Sequence, residues 1–121
     1  MKKNVLIIED DENIAKAEEL ILMNDFNVHT AKDGEEGLKK AKELKPDLIV
    51  LDLMLPKIGG IELCKQIRSQ EDLKGTKIVM VTAKNQPKDE LKGMGTGADD
   101  YIMKPFEADE LIHVINQVLN S

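Results

Sequence analysis

Cysteine is almost missing from this chain: one residue, Cys64, in 121. A lone thiol cannot close an internal disulfide, and thiolate metal clusters need more ligands. It reads as a small core or interface residue. Tryptophan is absent, and Phe26, Tyr101 and Phe106 are the only aromatics. No stacking platform for nucleotides or bases is therefore expected. Positive charge is in deficit, with 17 Lys and Arg against 23 Asp and Glu, for a net charge of −6. Direct binding to nucleic acid needs a basic face, which this balance argues against. An acidic surface suits a partner with a basic face, or simply solubility. Long hydrophobic runs are lacking too. Met1-Lys2-Lys3-Asn4 leads into Val5-Leu6-Ile7-Ile8 and then at once into acids. That run is too short for a signal-peptide core or a membrane span, so a cytoplasmic protein without a membrane partner is expected. No repeat, low-complexity tract or linker appears, and one domain over residues 1–121 is expected.

What is present is a regular alternation. Apolar residues make up 41% and charged residues 33%, the balance of a folded globular chain. Val5-Leu6-Ile7-Ile8 is too brief for a helix and reads as a strand buried on both faces. Asp11-Glu12-Asn13 then opens a helix, with Ile14, Ala17, Leu20, Ile21 and Met23 at helical spacing. Val28-His29-Thr30-Ala31 is a weaker second strand, and Asp33-Gly34 turns into a helix carrying Leu38, Ala41 and Leu44. Pro46 breaks that helix. Leu48-Ile49-Val50-Leu51 is the clearest buried strand, and Asp52 ends it. Gly59-Gly60 precedes a third helix through Ile61, Leu63, Cys64 and Ile67, which Gly75 stops. Ile78-Val79-Met80-Val81 is the fourth strand, ending at Thr82. A helix poor in apolar residues is expected from about Pro87, with Gly93, Gly95 and Gly97 near its end. Tyr101-Ile102-Met103 is a short fifth strand ending at Lys104-Pro105. A final helix carries Leu111, Ile112, Val114, Ile115, Val118 and Leu119. Five strand–helix units in a row predict an α/β fold, a parallel sheet with helices on both faces.

In such sheets ligands bind outside the carboxyl ends of the strands, where strand order reverses. Those ends carry Glu9-Asp10-Asp11, Asp52, Thr82 and Lys104; the second strand delivers Lys32-Asp33 and looks unremarkable. Taken singly, each has an ordinary explanation: a helix-leading acidic cap, a turn aspartate, a cap hydroxyl, a solvent-facing lysine. Their coincidence at four strand ends points to a site. Converging carboxylates repel unless a cation joins them. An all-oxygen set suits Mg²⁺, with Mn²⁺ as an alternative. A lysine and a hydroxyl nearby are what phosphoryl transfer requires, and Asp52 is placed to act as the nucleophile that forms an acyl phosphate.

These residues resemble the receiver domain of response regulators in two-component signalling, over essentially the whole chain. The resemblance rests on residues 5–11 (VLIIEDD), 46–56 (PDLIVLDLMLP), 78–83 (IVMVTA) and 97–106 (GADDYIMKPF). It implies a flavodoxin-like doubly wound (βα)5 fold with strand order 2-1-3-4-5. It implies that Glu9 and Asp10 are the acid pair of a Mg²⁺ site, completed by Asp52 and the backbone carbonyl of Met54. Asp52 would be phosphorylated by a sensor histidine kinase or a phosphotransfer protein, and Thr82 and Lys104 would contact the phosphoryl group. Tyr101 would turn inward as Thr82 moves, changing the face built from the fourth helix, the fifth strand and the last helix. That face would address a downstream protein or effector domain. The resemblance implies a signalling switch that catalyses only its own phosphotransfer and dephosphorylation. Two departures stand out. Gly59 replaces a frequent capping side chain before the third helix. The final helix has no Lys or Arg, which argues against a charge-paired dimer through it. The resemblance also puts Met54 and Lys84 at positions that tune acyl-phosphate lifetime in that family.

Other functions are conceivable. An aspartyl-phosphate phosphatase would carry a general-acid Asp two residues after the nucleophile, where this chain has Met54. A flavin carrier would need a phosphate-binding loop after the first strand, where this chain has three acids. A fourth reading is an interaction module that kept the fold and lost the switch; the full set of chemical residues argues against it.

Overall fold

Each short apolar run forms a strand and each amphipathic run a helix. The computed structural model describes residues 2–55, 57–83 and 95–121. Among them are β1 (Lys3–Ile8), α1 (Glu12–Leu22), β2 (Phe26–Ala31), α2 (Gly34–Leu44), β3 (Leu48–Asp52), α3 (Gly60–Ser69), β4 (Lys77–Thr82), β5 (Asp100–Met103) and α4 (Ala108–Leu119). Lys84, Gly93 and the helix expected from about Pro87 lie outside the described residues. All strand pairs are parallel, in the order β2-β1-β3-β4-β5. This is the doubly wound order that the family resemblance implied. No described helix is long and apolar enough to cross a membrane.

Alternation along the strands sorts the core into two layers. Leu6, Ile8, Ile49, Leu51, Ile78, Met80 and Tyr101 pack with Ala41 of α2 and Leu63, Cys64 and Ile67 of α3. Val5, Ile7, Leu48, Val50, Val79, Val81 and Ile102 pack with Leu22 of α1 and Leu111 and Ile115 of α4. Covering both faces is what lets the strands be continuously apolar. Each fully buried Leu or Ile contributes roughly 1.5–3 kcal/mol relative to exposure. Burial pushes the Cys64 thiol up to about 11, which suits an inert core residue.

One expectation needs correction. Leu20 and Met23, read as part of the inward face of α1, are 55% and 48% exposed. The helix instead turns Glu18 and Leu22 inward. Leu22 is one residue off the spacing read for that face, and Glu18 is a charged residue standing where an apolar one is expected. Gly95 and Gly97, with φ of 64° and 89°, form a left-handed turn into β5.

Candidate functional site

The strand register carries the chemical groups to one edge. Ile8 pairs with Leu51, so Glu9, the next residue, falls beside Asp52. Asp52 pairs with Val81, and Thr82 with Met103, which places Lys104 just beyond the same edge. The alternation then divides the set. Val5, Ile7 and Glu9, then Leu48, Val50 and Asp52, then Ile102 and Lys104 follow one parity, toward α1 and α4. Ile78, Met80 and Thr82 follow the other, as does Tyr101.

Glu9, Asp52 and Lys104 accordingly meet. Glu9 and Asp52 are buried, at 4% and 7% exposure, while Asp10 is exposed. The Lys104 Nζ donates to Glu9 Oε1 at 3.0 Å and lies 3.8 Å from Asp52 Oδ1. Oxygens of Glu9, Asp10 and Asp52 all fall within 4.8 Å of one another. Burial, with Asp52 beside it, pushes the Glu9 carboxyl up to about 7. Burial alone would lower the Lys104 ammonium. The carboxylates of Glu9 and Asp52 outweigh it and hold that ammonium above its ordinary value.

Local structure fixes these groups. Asp11, third of the acids, caps α1 by accepting from the backbone N–H groups of Asn13 (2.9 Å) and Ile14 (3.1 Å). Its own N–H donates to Glu9 Oε2 at 3.2 Å. The three acids thus divide the work: Glu9 points in, Asp10 stands at the mouth, and Asp11 starts the helix. After β3 the chain folds back on Asp52. The Met54 N–H donates to Asp52 Oδ1 at 3.2 Å, and the Gly60 N–H to the Leu53 carbonyl at 2.9 Å. A Cβ on Gly60 would stand 2.5 Å from the Asp52 carbonyl oxygen and 2.6 Å from Leu53 Cα. Only glycine fits that approach. Gly59 precedes α3 with no side-chain cap, as the sequence implied.

Thr82 sits at the same edge with its hydroxyl turned away. It donates to the Ile102 carbonyl at 3.5 Å, a long bond that exchanges at low cost. Tyr101 is buried, and its hydroxyl shares a short hydrogen bond with the Thr96 hydroxyl. Thr96, itself buried, was not among the residues singled out from sequence. The Thr96–Tyr101 spacing gives no signal, because the turn through Gly95 and Gly97 makes the contact. Glu18 was missed as well. It is 2% exposed, and one of its carboxylate oxygens has no partner among the described residues.

With this geometry in view, the comparisons with known proteins agree. A family model described as the response regulator receiver domain matches residues 5–116. Response regulator ArlR of Staphylococcus aureus is 47% identical over 116 residues, covering 95% of this chain and 52% of the relative. The chain therefore spans about half the length of the curated relatives it matches. A response regulator structure from Chloroflexus aurantiacus superposes with a TM-score of 0.93 at 34% identity, over 100% of both chains. The chemotaxis response regulator CheY4 of Vibrio cholerae superposes with a TM-score of 0.90 at 31% identity, over 98% of this chain and 99% of that one.

Proposed function

Because the chain belongs to the response regulator receiver domain family, we propose that it is a phosphorylation-controlled switch whose phosphoryl acceptor is Asp52. The observation that carries this reading is the convergence of Glu9, Asp10 and Asp52 within 4.8 Å, with Lys104 bridging two of them. The domain is proposed to span residues 1–121.

An all-carboxylate, all-oxygen donor set fits a hard divalent cation. Glu9, Asp10 and Asp52 would hold Mg²⁺, or Mn²⁺, together with the Met54 carbonyl. When bound, the ion supplies positive charge against the phosphoryl oxygens. Asp52 Oδ attacks the phosphorus of a phosphohistidine or a small acyl phosphate. The new O–P bond forms as the P–N or P–O bond to the donor breaks, and the leaving group takes the electron pair. Lys104, already within reach of both carboxylates, stabilises the negative charge on the transferring group.

The phosphoryl group adds a charge of about −1.5 to −2 at the edge. Thr82 has only a 3.5 Å bond to give up in order to donate to it. Thr82 and Tyr101 lie on the same side of the sheet, on the neighbouring strands β4 and β5. We read this pair as the switch, and the face around β5 and α4 as its output to a downstream protein or effector domain. A near-complete switch requires about 5.5 kcal/mol of differential stabilisation. A sensor histidine kinase or phosphotransfer protein is the donor. No direct nucleic-acid contact by this domain and a cytoplasmic location complete the reading, and the only catalysis assigned to the chain is its own phosphotransfer and dephosphorylation. Met54 stands, exposed, at the position where a phosphatase would hold its general acid, and a thioether cannot donate a proton, which favours a switch over a turnover enzyme.

The test is intact mass after incubation with Mg²⁺ and acetyl phosphate. One labile phosphoryl adduct is expected, absent with EDTA and absent in Asp52→Asn. Failure to form it with several small donors would sink the reading.

A further inference from the structure

The second strand ends in Lys32-Asp33, and the phosphoryl chemistry proposed above gives those residues no task. Asp33 is nevertheless buried, at 8% exposure. Its carboxylate oxygens face two ways. Oδ1 caps α2 by accepting from the Glu36 N–H at 2.9 Å. Oδ2 accepts from the Lys57 Nζ at 3.4 Å. Lys57 belongs to the segment between β3 and α3, which also carries Met54. Its ammonium lies 4.0 Å from Glu35 Oε2 as well, so the start of α2 offers it a second carboxylate.

Lys57 has a φ of 65°, in the left-handed region. A residue with a Cβ is strained there, and glycine is not. Such strain persists where the surroundings over-determine the backbone. Two contacts do so here. One is the Lys57–Asp33 ion pair. The other is Ile58, whose Cβ would stand 2.8 Å from a Cβ on Gly34, so the segment lies directly against the first residue of α2. Gly59, next along, offers α3 no side-chain cap. The side-chain anchor of this segment is therefore on the α2 side.

We propose, on the reading of Glu9, Asp10 and Asp52 as a Mg²⁺ site, that Lys57 is a positioning residue for it. The ion pair with Asp33 ties the segment after β3 to α2, and so sets where the Met54 carbonyl stands relative to Asp52. The second strand thereby serves the edge without touching the ion. The Lys57 side chain is 57% exposed and that of Asp33 11%. An ion pair so placed is worth about twofold to fivefold in an equilibrium constant, which bounds the effect.

The test is Mg²⁺ titration of the ¹⁵N-labelled protein without phosphodonor, read at the amides of Asp52, Leu53 and Met54, with urea unfolding of each variant alongside. Lys57→Met should weaken Mg²⁺ binding about twofold to fivefold. Asp33→Asn, whose side-chain oxygen still caps α2, should do the same. The double variant should be no weaker than either single one, because both remove one contact. Lys57→Arg should restore the affinity. Lys57→Gly, which relieves the backbone and removes the ammonium, should bind as weakly as Lys57→Met. Wild-type affinity in Lys57→Met or Lys57→Gly, or additive losses in the double variant, would overturn the proposal. So would a loss of stability in urea with the Mg²⁺ constant unmoved, the mark of a merely structural contact. Absence of a saturable Mg²⁺ shift in the wild type would overturn the cation reading and the proposal with it. A wild-type response that Lys57→Met leaves unchanged overturns the proposal alone.

Discussion

Replacing Glu18 by Leu should stabilise the protein, and most at neutral to alkaline pH. The carboxyl is 2% exposed, and its pKa moves from 4.5 to about 7 in the fold. A shift of that size corresponds to about 3 kcal/mol between the two protonation states. The folded pKa lies above the unfolded one, so the folded chain holds the proton more tightly. The protonated carboxyl is therefore tolerated below about pH 4.5, and that advantage is lost as pH rises through about 7. Leucine titrates nowhere and suits the apolar stripe of α1. Urea unfolding with EDTA present, at about pH 5 and about pH 8, measures the difference. The variant should gain roughly 2–3 kcal/mol more over wild type at the higher pH than at the lower, because at about pH 5 a small part of the effect is already present. Glu9 titrates in the same direction and stays in both proteins, so it cancels in the comparison to first order. A gain of equal size at both pH values would assign the effect to packing and refute the linkage. A variant no more stable than wild type at pH 8 would refute the buried charge itself.

Other substitutions probe the edge of the sheet. Gly60→Ala places a methyl within 2.5 Å of the Asp52 carbonyl oxygen. It should cost about 1–3 kcal/mol in urea unfolding and slow adduct formation at Asp52, and an unchanged protein would mean the loop gives way freely. Thr96→Val removes the partner of the Tyr101 hydroxyl and should cost about 1–3 kcal/mol. Tyr101 is the only tyrosine and there is no tryptophan. Acrylamide quenching of intrinsic fluorescence therefore reports on this ring alone and should rise. Lys104→Met removes the hydrogen bond that holds Glu9 down, so the Glu9 titration should move above about 7 in carboxyl ¹³C spectra of the metal-free protein. An unmoved midpoint would contradict the Lys104–Glu9 contact.

The sheet was legible because its strands are buried on both faces. Val5-Leu6-Ile7-Ile8 and Leu48-Ile49-Val50-Leu51 admit few other readings. The strand-end residues were legible because parallel strands deliver their last side chains to one edge. The parity that separates Glu9, Asp52 and Lys104 from Thr82 and Tyr101 follows from counting by twos along each strand. It becomes visible only once the register between strands is known. The rotation of α1 was not legible. Leu20 and Met23 are apolar and correctly spaced, yet the helix turns Glu18 inward and leaves them in solvent. Contacts made across the chain were hidden for the same reason. Arg68 donates to the Gly97 carbonyl at 2.8 Å and to Asp99 at 2.6 Å, and so ties α3 to the turn before β5. No local pattern announces such a pair, because it depends on tertiary placement rather than on spacing.

The identity of the phosphorylated residue tests the central claim most directly. After incubation with Mg²⁺ and acetyl phosphate, borohydride reduction converts an aspartyl phosphate to homoserine, which peptide mass spectrometry can locate. The expected result is homoserine at position 52 and nowhere else. Homoserine at Asp10 or another acid, or none in a chain that has gained a phosphoryl group, would show that Asp52 is not the acceptor.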